Sequence, residues 1–132
     1  MIFVDADAYI ALMVEGDASH EGALRLLSEL KSEEMVTSWE VIDEVATKLS
    51  FFTSHKEAVN FLKRLFTSET RIEYVDPKRA VAVEKLFFRQ SSKRVSMTDC
   101  ANMVIAKELG IKRFFSFDKH YKKNGFLIGM DR

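Results

Sequence analysis

Four short apolar runs punctuate the chain: "IFV" at residues 2–4, "MVTS" at 35–38, "RIEYV" at 71–75 and "RFFSF" at 113–117. Between them lie longer stretches whose apolar residues recur at helical spacing. Parallel strands need a crossover of a dozen or more residues, and a helix is the usual one, so this alternation predicts an α/β fold. The expectation is a three-layer α/β/α domain with a central parallel sheet of four to five strands. Ala18 to Lys31 reads as a helix with Asp17 as its N-cap, through Ala23, Leu26, Leu27 and Leu30. "TSWE", from Thr37 to Glu40, has capping-box form, and Val41, Ile42, Val45, Ala46 and Leu49 make one face behind it. Ser54 with Glu57 starts the next helix. Asp76 followed by Pro77 starts another that runs to about Gln90, since the fixed φ of proline suits a first helical position. Ser96 with Asp99 is a further capping box, and Gly110 ends its helix. "FLIGM" reads as a final edge strand.

A length of 132 residues, without a linker, repeat or biased segment, predicts one domain over 1–132. The chain is 47% hydrophobic and 30% charged with a single proline, which excludes a disordered or collagen-like chain. Its 20 basic residues balance 20 acidic ones, so overall charge gives no argument for nucleic acid. Cys100 stands alone and reads as a packed thiol in a reducing cytoplasm. No uninterrupted apolar stretch reaches membrane-spanning length, and the N-terminus lacks a signal-peptide pattern, so neither a membrane nor export is expected.

Acids stand where a parallel sheet would expose them. In open α/β sheets ligands bind beyond the carboxyl ends of the strands. Asp5 follows the first apolar run, Asp118 follows "RFFSF", Asp99 opens a helix, and Glu44 lies inside the helix that leaves the second strand. Two carboxylates about 5 Å apart repel by roughly 3 kcal/mol at an effective dielectric near 20. Several such pairs would exceed a stability margin of about 5–15 kcal/mol. A gathering of these acids therefore requires a cation among them, or protons. An all-oxygen donor set favours Mg²⁺ or Mn²⁺ over zinc, and such an ion suits phosphate-ester hydrolysis.

The segments "IFVDADAYIALM", "SWEVIDEVATKLSF", "VSMTDCANMVIAKELG" and "FFSFDKHY" resemble, in order and over nearly the whole chain, the acidic motifs of PIN-domain ribonucleases, especially the VapC-like toxins of prokaryotic toxin–antitoxin pairs. The resemblance implies Asp5, Glu44, Asp99 and Asp118 as metal-binding catalytic acids and an endoribonuclease dependent on Mg²⁺ or Mn²⁺. It also implies a homodimer and a small antitoxin that covers the site. Two positions depart from the family's habit. Asp7 stands where a small hydroxyl or amide residue is common, and Ser116 stands where Thr is frequent. Ser116 keeps the hydroxyl. Asp7 either caps a helix beginning near Ala8 or, if the strand continues through it, shares the face of Asp5 and adds a ligand or crowds the site.

Other readings compete. Asp99 alone is explained by its capping box, Asp118 by a turn, and Glu44 by a surface pair with Lys48 four residues on. Asn102, one helical turn after Asp99, either orients a ligand or faces solvent. Lys119, Lys122 and Lys123 are placed to contact RNA phosphates. Phe51, Phe52, Phe61, Phe66, Phe87 and Phe88 read as core or as an interface for a partner helix, and the two helices after Thr37 as the place for a dimer or antitoxin contact. Two alternative functions remain open. "VDADAY" resembles the nucleophile motif of haloacid-dehalogenase-like phosphatases, with Asp5 as nucleophile, and the same fold also serves as a catalytically silent binding module.

Overall fold

The computed structural model describes residues 1–132. Five parallel strands form one sheet: β1 (Ile2–Val4), β2 (Met35–Ser38), β3 (Arg71–Glu73), β4 (Arg113–Phe115) and β5 (Leu127–Ile128), in the order β3-β2-β1-β4-β5. The helices are α1 (Ala6–Met13), α2 (His20–Leu30), α3 (Trp39–Phe52), α4 (His55–Thr67), α5 (Pro77–Phe88), α6 (Met97–Glu108) and α7 (Lys119–Lys123). No helix is long and apolar enough to cross a membrane.

Side chains alternate across each strand, so neighbouring residues enter different cores. Ile2 and Val4 of β1, with Phe115 of β4, pack with Leu26 and Leu30 of α2. Phe3 and Phe114 turn to the opposite, larger core, where they meet Val41, Val45 and Leu49 of α3, Phe61 of α4, and Met103 and Ile105 of α6. The two cores are the two faces of the sheet, which makes the three expected layers. Cys100 is fully buried in the larger one.

Most start signals act as read. Ser54 Oγ accepts the Glu57 N–H, and the Asp76 carboxylate accepts that of Arg79 behind Pro77. Ser96 and Asp99 make both bonds of a capping box. Gly110 follows α6 at φ 72°, a left-handed conformation in which a Cβ is strained.

Several boundaries differ. The second helix begins at His20, not Ala18, because the Asp17 side chain closes a turn onto the Ser19 N–H before the helix starts. In "TSWE" the cap is Ser38, which accepts the Val41 N–H, while Thr37 is still in the strand and donates across it to the Val4 carbonyl. The fifth helix stops at Phe88 rather than Gln90. The third strand ends at Glu73, before Tyr74 and Val75. The fourth ends at Phe115 because the following Ser116 and Phe117 bond to side chains instead of to a neighbouring strand. Of the phenylalanines, Phe61 is core, whereas Phe51, Phe52, Phe66, Phe87 and Phe88 are exposed.

Candidate active site at the carboxyl ends of the strands

Beyond the carboxyl ends of β1, β2 and β4 lies a polar cleft of about 280 Å³ without a single hydrophobic residue in its lining. Asp5, Asp7, Glu44, Asp99 and Asp118 reach it, accompanied by two cations, Lys48 and Arg94, and by Ser96. All four acids singled out from the sequence therefore meet, although they come from the starts of three helices and the interior of a fourth.

Asp5 anchors the arrangement. β1 ends at Val4, and Asp5 becomes the N-cap of α1, its Oδ1 accepting the Ala6 N–H at 2.8 Å. The same oxygen accepts Asn102 Nδ2 at 3.2 Å, and Oδ2 accepts the Tyr121 hydroxyl at 2.9 Å and the Ser116 hydroxyl at 3.4 Å. Only 6% of the residue is exposed. Burial, reinforced by the negative charges of Asp7 and Asp99, pushes its carboxyl up to about 8, against the pull of the Ala6 and Tyr121 donors.

Asp7 does not cap a helix near Ala8, because α1 already starts at Ala6 under Asp5. Nor does the strand run through it. It sits in the first turn of α1, where its Oδ2 accepts the Phe117 N–H at 2.8 Å and the Ser116 hydroxyl at 3.1 Å. Its other oxygen, Oδ1, is buried without a hydrogen-bond partner. Desolvation raises its pKa as well. Asp7 thus fastens α1 to the β4–α7 connection and leaves one oxygen unanswered at the cleft.

Asp99 is both a cap and a member of the cluster. Its Oδ2 accepts the Ser96 N–H, while Oδ1 lies 3.3 Å from the Tyr121 hydroxyl. Asp118 caps the short helix α7, accepting the His120 N–H. Glu44 is half-buried and 3.8 Å from Lys48, so it has the surface pairing and the cleft position together.

Asn102 does not face solvent. It is completely buried and joins three elements: its Oδ1 accepts the Ser38 hydroxyl at 2.7 Å, and its Nδ2 donates to Asp5 and to Tyr121 Oη. The amide thus stands with its oxygen toward the Ser38 hydroxyl and its NH₂ toward Asp5. Tyr121 was not singled out from the sequence, yet it is fully buried with its hydroxyl between Asp5 and Asp99. Its signal is that it is the one apolar position in the basic "KHYKK". Lys48 and Arg94 were likewise missed as cleft residues, and Ser38 as the partner of Asn102. Lys119, Lys122 and Lys123 lie on α7 immediately after Asp118 but outside the cleft lining, all exposed, with Lys122 paired to Asp131 at 3.3 Å.

The cluster is short of protons. The Tyr121 hydroxyl has one proton for two carboxylates, and so has Ser116 for Asp5 and Asp7. No three of the acids stand close enough together to hold a metal ion among them. A hard cation that retains most of its water needs only one or two carboxylates, and magnesium is such an ion. The absence of His and Cys from the lining, the partnerless Asp7 Oδ1 and the excess of five acids over two bases all fit it. The phosphatase reading fares worse: Asp5 is buried and both its oxygens already accept hydrogen bonds.

Residues 2–127 match the family model for the PIN domain. The chain is 28% identical, over 127 residues and 96% of both sequences, to the 23S rRNA-specific endonuclease VapC20 of Mycobacterium tuberculosis. The crystal structure of that protein, titled as a sarcin-ricin loop cleaving toxin, superposes with a TM-score of 0.87 at 26% identity, covering 96% of this chain and 97% of that one. FitAcB from Neisseria gonorrhoeae shares the fold, with a TM-score of 0.73 at 16% identity over 97% of this chain and 96% of that one.

Proposed function

The chain belongs to the PIN-domain family, and we propose that it is a metal-dependent endoribonuclease, the toxin of a toxin–antitoxin pair, whose chemistry is carried by Asp5, Glu44, Asp99 and Asp118. The observation that carries this reading is the convergence of these acids, with Asp7, in one wholly polar cleft at the strand ends. The similarity to VapC20, an endonuclease named for 23S rRNA, supports RNA as the substrate class.

Asp5, Asp99 and Asp118, with Glu44, are the residues that would hold Mg²⁺ or Mn²⁺, which supplies charge neutralisation and a water of lowered pKa for attack on a phosphodiester. The protein's own contribution is positioning. Asn102 and Ser38 hold Asp5 from one side, Tyr121 and Ser116 from the other, so its carboxylate cannot rotate. The Ser96 cap holds Asp99 in the same way. Lys48 and Arg94, at the cleft wall, are placed to meet phosphate oxygens of an incoming strand, and Lys119, Lys122 and Lys123 extend that positive charge onto α7.

The remaining assignments follow the family: a small antitoxin covers the cleft, the chain forms a homodimer, and it acts in the cytoplasm. The exposed aromatic residues Phe51 and Phe52, at the end of α3, and Phe66, on α4, offer apolar area for such contacts.

Purified protein is expected to cleave RNA in Mg²⁺ and to lose cleavage in chelator. Asp5→Asn and Asp99→Asn should each remove activity while circular dichroism and melting remain those of a folded protein. Cleavage undiminished in both variants would overturn the assignment of these acids. Trapping of beryllofluoride on Asp5, with no RNA cleavage, would favour the phosphatase.

A further inference from the structure

The acidic cleft is not the only concavity of the molecule. A groove of about 810 Å³ runs between α5 and α6 and reaches the turns that precede β4 and β5. It shares no residue with the cleft. Those turns feed the amino ends of the strands, whereas the acids lie beyond the carboxyl ends. The two sites therefore open in different places.

The groove has an apolar floor and a basic rim. Leu86 of α5, Met103 and Val104 of α6, Ile111 and Phe126 form the floor. Ala82, exposed and spaced four residues before Leu86, continues the same face of α5. Around it stand Lys78, Arg89, Lys107 and Lys112, all exposed and none in an ion pair. The one acid of the lining, Glu108, is held at 2.9 Å by the one remaining base, Arg79. Lys78 and Arg89 are separated by 11 residues along α5, so the free charges extend over roughly 16 Å at the helical rise.

We propose that this groove is the docking site of an acidic amphipathic segment of a protein partner, a helix with apolar residues on one face and carboxylates on the flanks. Charge complementarity selects the sign: the uncompensated cations require anions, and the partner that must cover an acidic cleft cannot use the same chemistry here. The aliphatic floor selects peptide over nucleic acid. Phosphates would engage the rim, but Leu86, Val104, Met103 and Ile111 offer no platform for bases, and Phe126, half-buried, is the one aromatic ring. A helix laid between α5 and α6 places residues at i, i+3, i+4 and i+7 on that floor and its acids against both walls.

The test is a selection from a displayed library of peptides about 16 residues long, roughly four helical turns. The full chain is the target, and the Arg89→Glu/Lys107→Glu double variant is the counter-target. Neither position lies in the cleft. The enriched peptides should be rich in Asp and Glu with apolar residues at helical spacing. As synthetic peptides they should bind wild type and lose about tenfold or more in affinity to the double variant, a difference of about 1.4 kcal/mol. Ala82→Trp, which fills the groove from an exposed helical site, should block them without changing charge. Enrichment of peptides without acidic bias, or equal binding to wild type and the double variant, would overturn the proposal. So would an oligoribonucleotide bound in the groove and lost in the same variants while acidic peptides fail to bind, since the occupant would then be RNA.

Discussion

At the scale of single residues, the site is governed by how few protons the buried oxygens share. Asp5 is pushed up to about 8 by burial first and by Asp7 second, so without a cation the native state holds a proton there that the unfolded chain releases near its ordinary 3.8. A carboxyl raised in the folded state stabilises below its unfolded pKa and loses that contribution as pH rises through the folded one. Asp7 is raised in the same direction. Denaturant midpoints measured in chelator should accordingly fall between about pH 4 and pH 8. Asp5→Asn should flatten the fall and be the more stable protein at the alkaline end, and Mg²⁺ should restore wild type but not the variant. An unchanged slope in Asp5→Asn would contradict the role of this carboxyl. Tyr121→Phe removes the one hydroxyl between Asp5 and Asp99; a loss of about 1 kcal/mol in stability is expected, with RNA cleavage reduced about tenfold by misplacement of the two carboxylates. Asn102→Ala strands Ser38 and Asp5 in the interior and should cost about 2 kcal/mol by denaturant titration. Asp5, Asp99 and Asp118 were legible in the sequence because an acid directly after an apolar run or in a capping box is a local pattern. Tyr121 was not, and Asn102 was left between a ligand-orienting role and solvent, since what matters in them is which distant oxygen they face across 116 and 97 residues of chain, respectively.

At the scale of elements, helix starts position the catalytic candidates. Three of the four proposed acids occupy caps or first turns: Asp5 begins α1, Asp99 lies in the first turn of α6, and Asp118 begins α7. A helix N-terminus carries partial positive charge, which eases the burial of an anion there before any metal arrives. The Ser96 hydroxyl is the supporting half of one such start, so Ser96→Ala should lower stability by about 1 kcal/mol and, by releasing Asp99, weaken Mn²⁺ binding more than overall folding. Equal Mn²⁺ affinity in Ser96→Ala would separate the cap from the site. Element order and type were readable because capping residues and apolar periodicity agree along most of the chain. Boundaries slipped where a polar side chain had two local options. Thr37 and Ser38 both look like caps, and only the cross-strand carbonyl of Val4, 33 residues away, decides that Thr37 belongs to the strand. The short helix α7 was hidden for a related reason: five residues are too few for periodicity, and its basic composition reads as a solvated turn.

At the scale of the whole molecule, a net charge of zero conceals a segregated surface. The strand-end cleft gathers five acids, and the α5–α6 groove gathers free bases, so each presents a field that the total charge does not reveal. The basic residues beside the cleft and on α7 should make RNA binding fall with salt; a dissociation constant flat between low and physiological ionic strength would remove them from the interface. Everything in this account depends on the converging acids forming one divalent-cation site. Calorimetric titration of the full chain with Mn²⁺ tests that most directly: wild type should bind it saturably, and Asp5→Asn and Asp99→Asn should show no binding over the same range. Identical isotherms for all three proteins, or RNA cleavage by a wild type that binds no Mn²⁺, would contradict it.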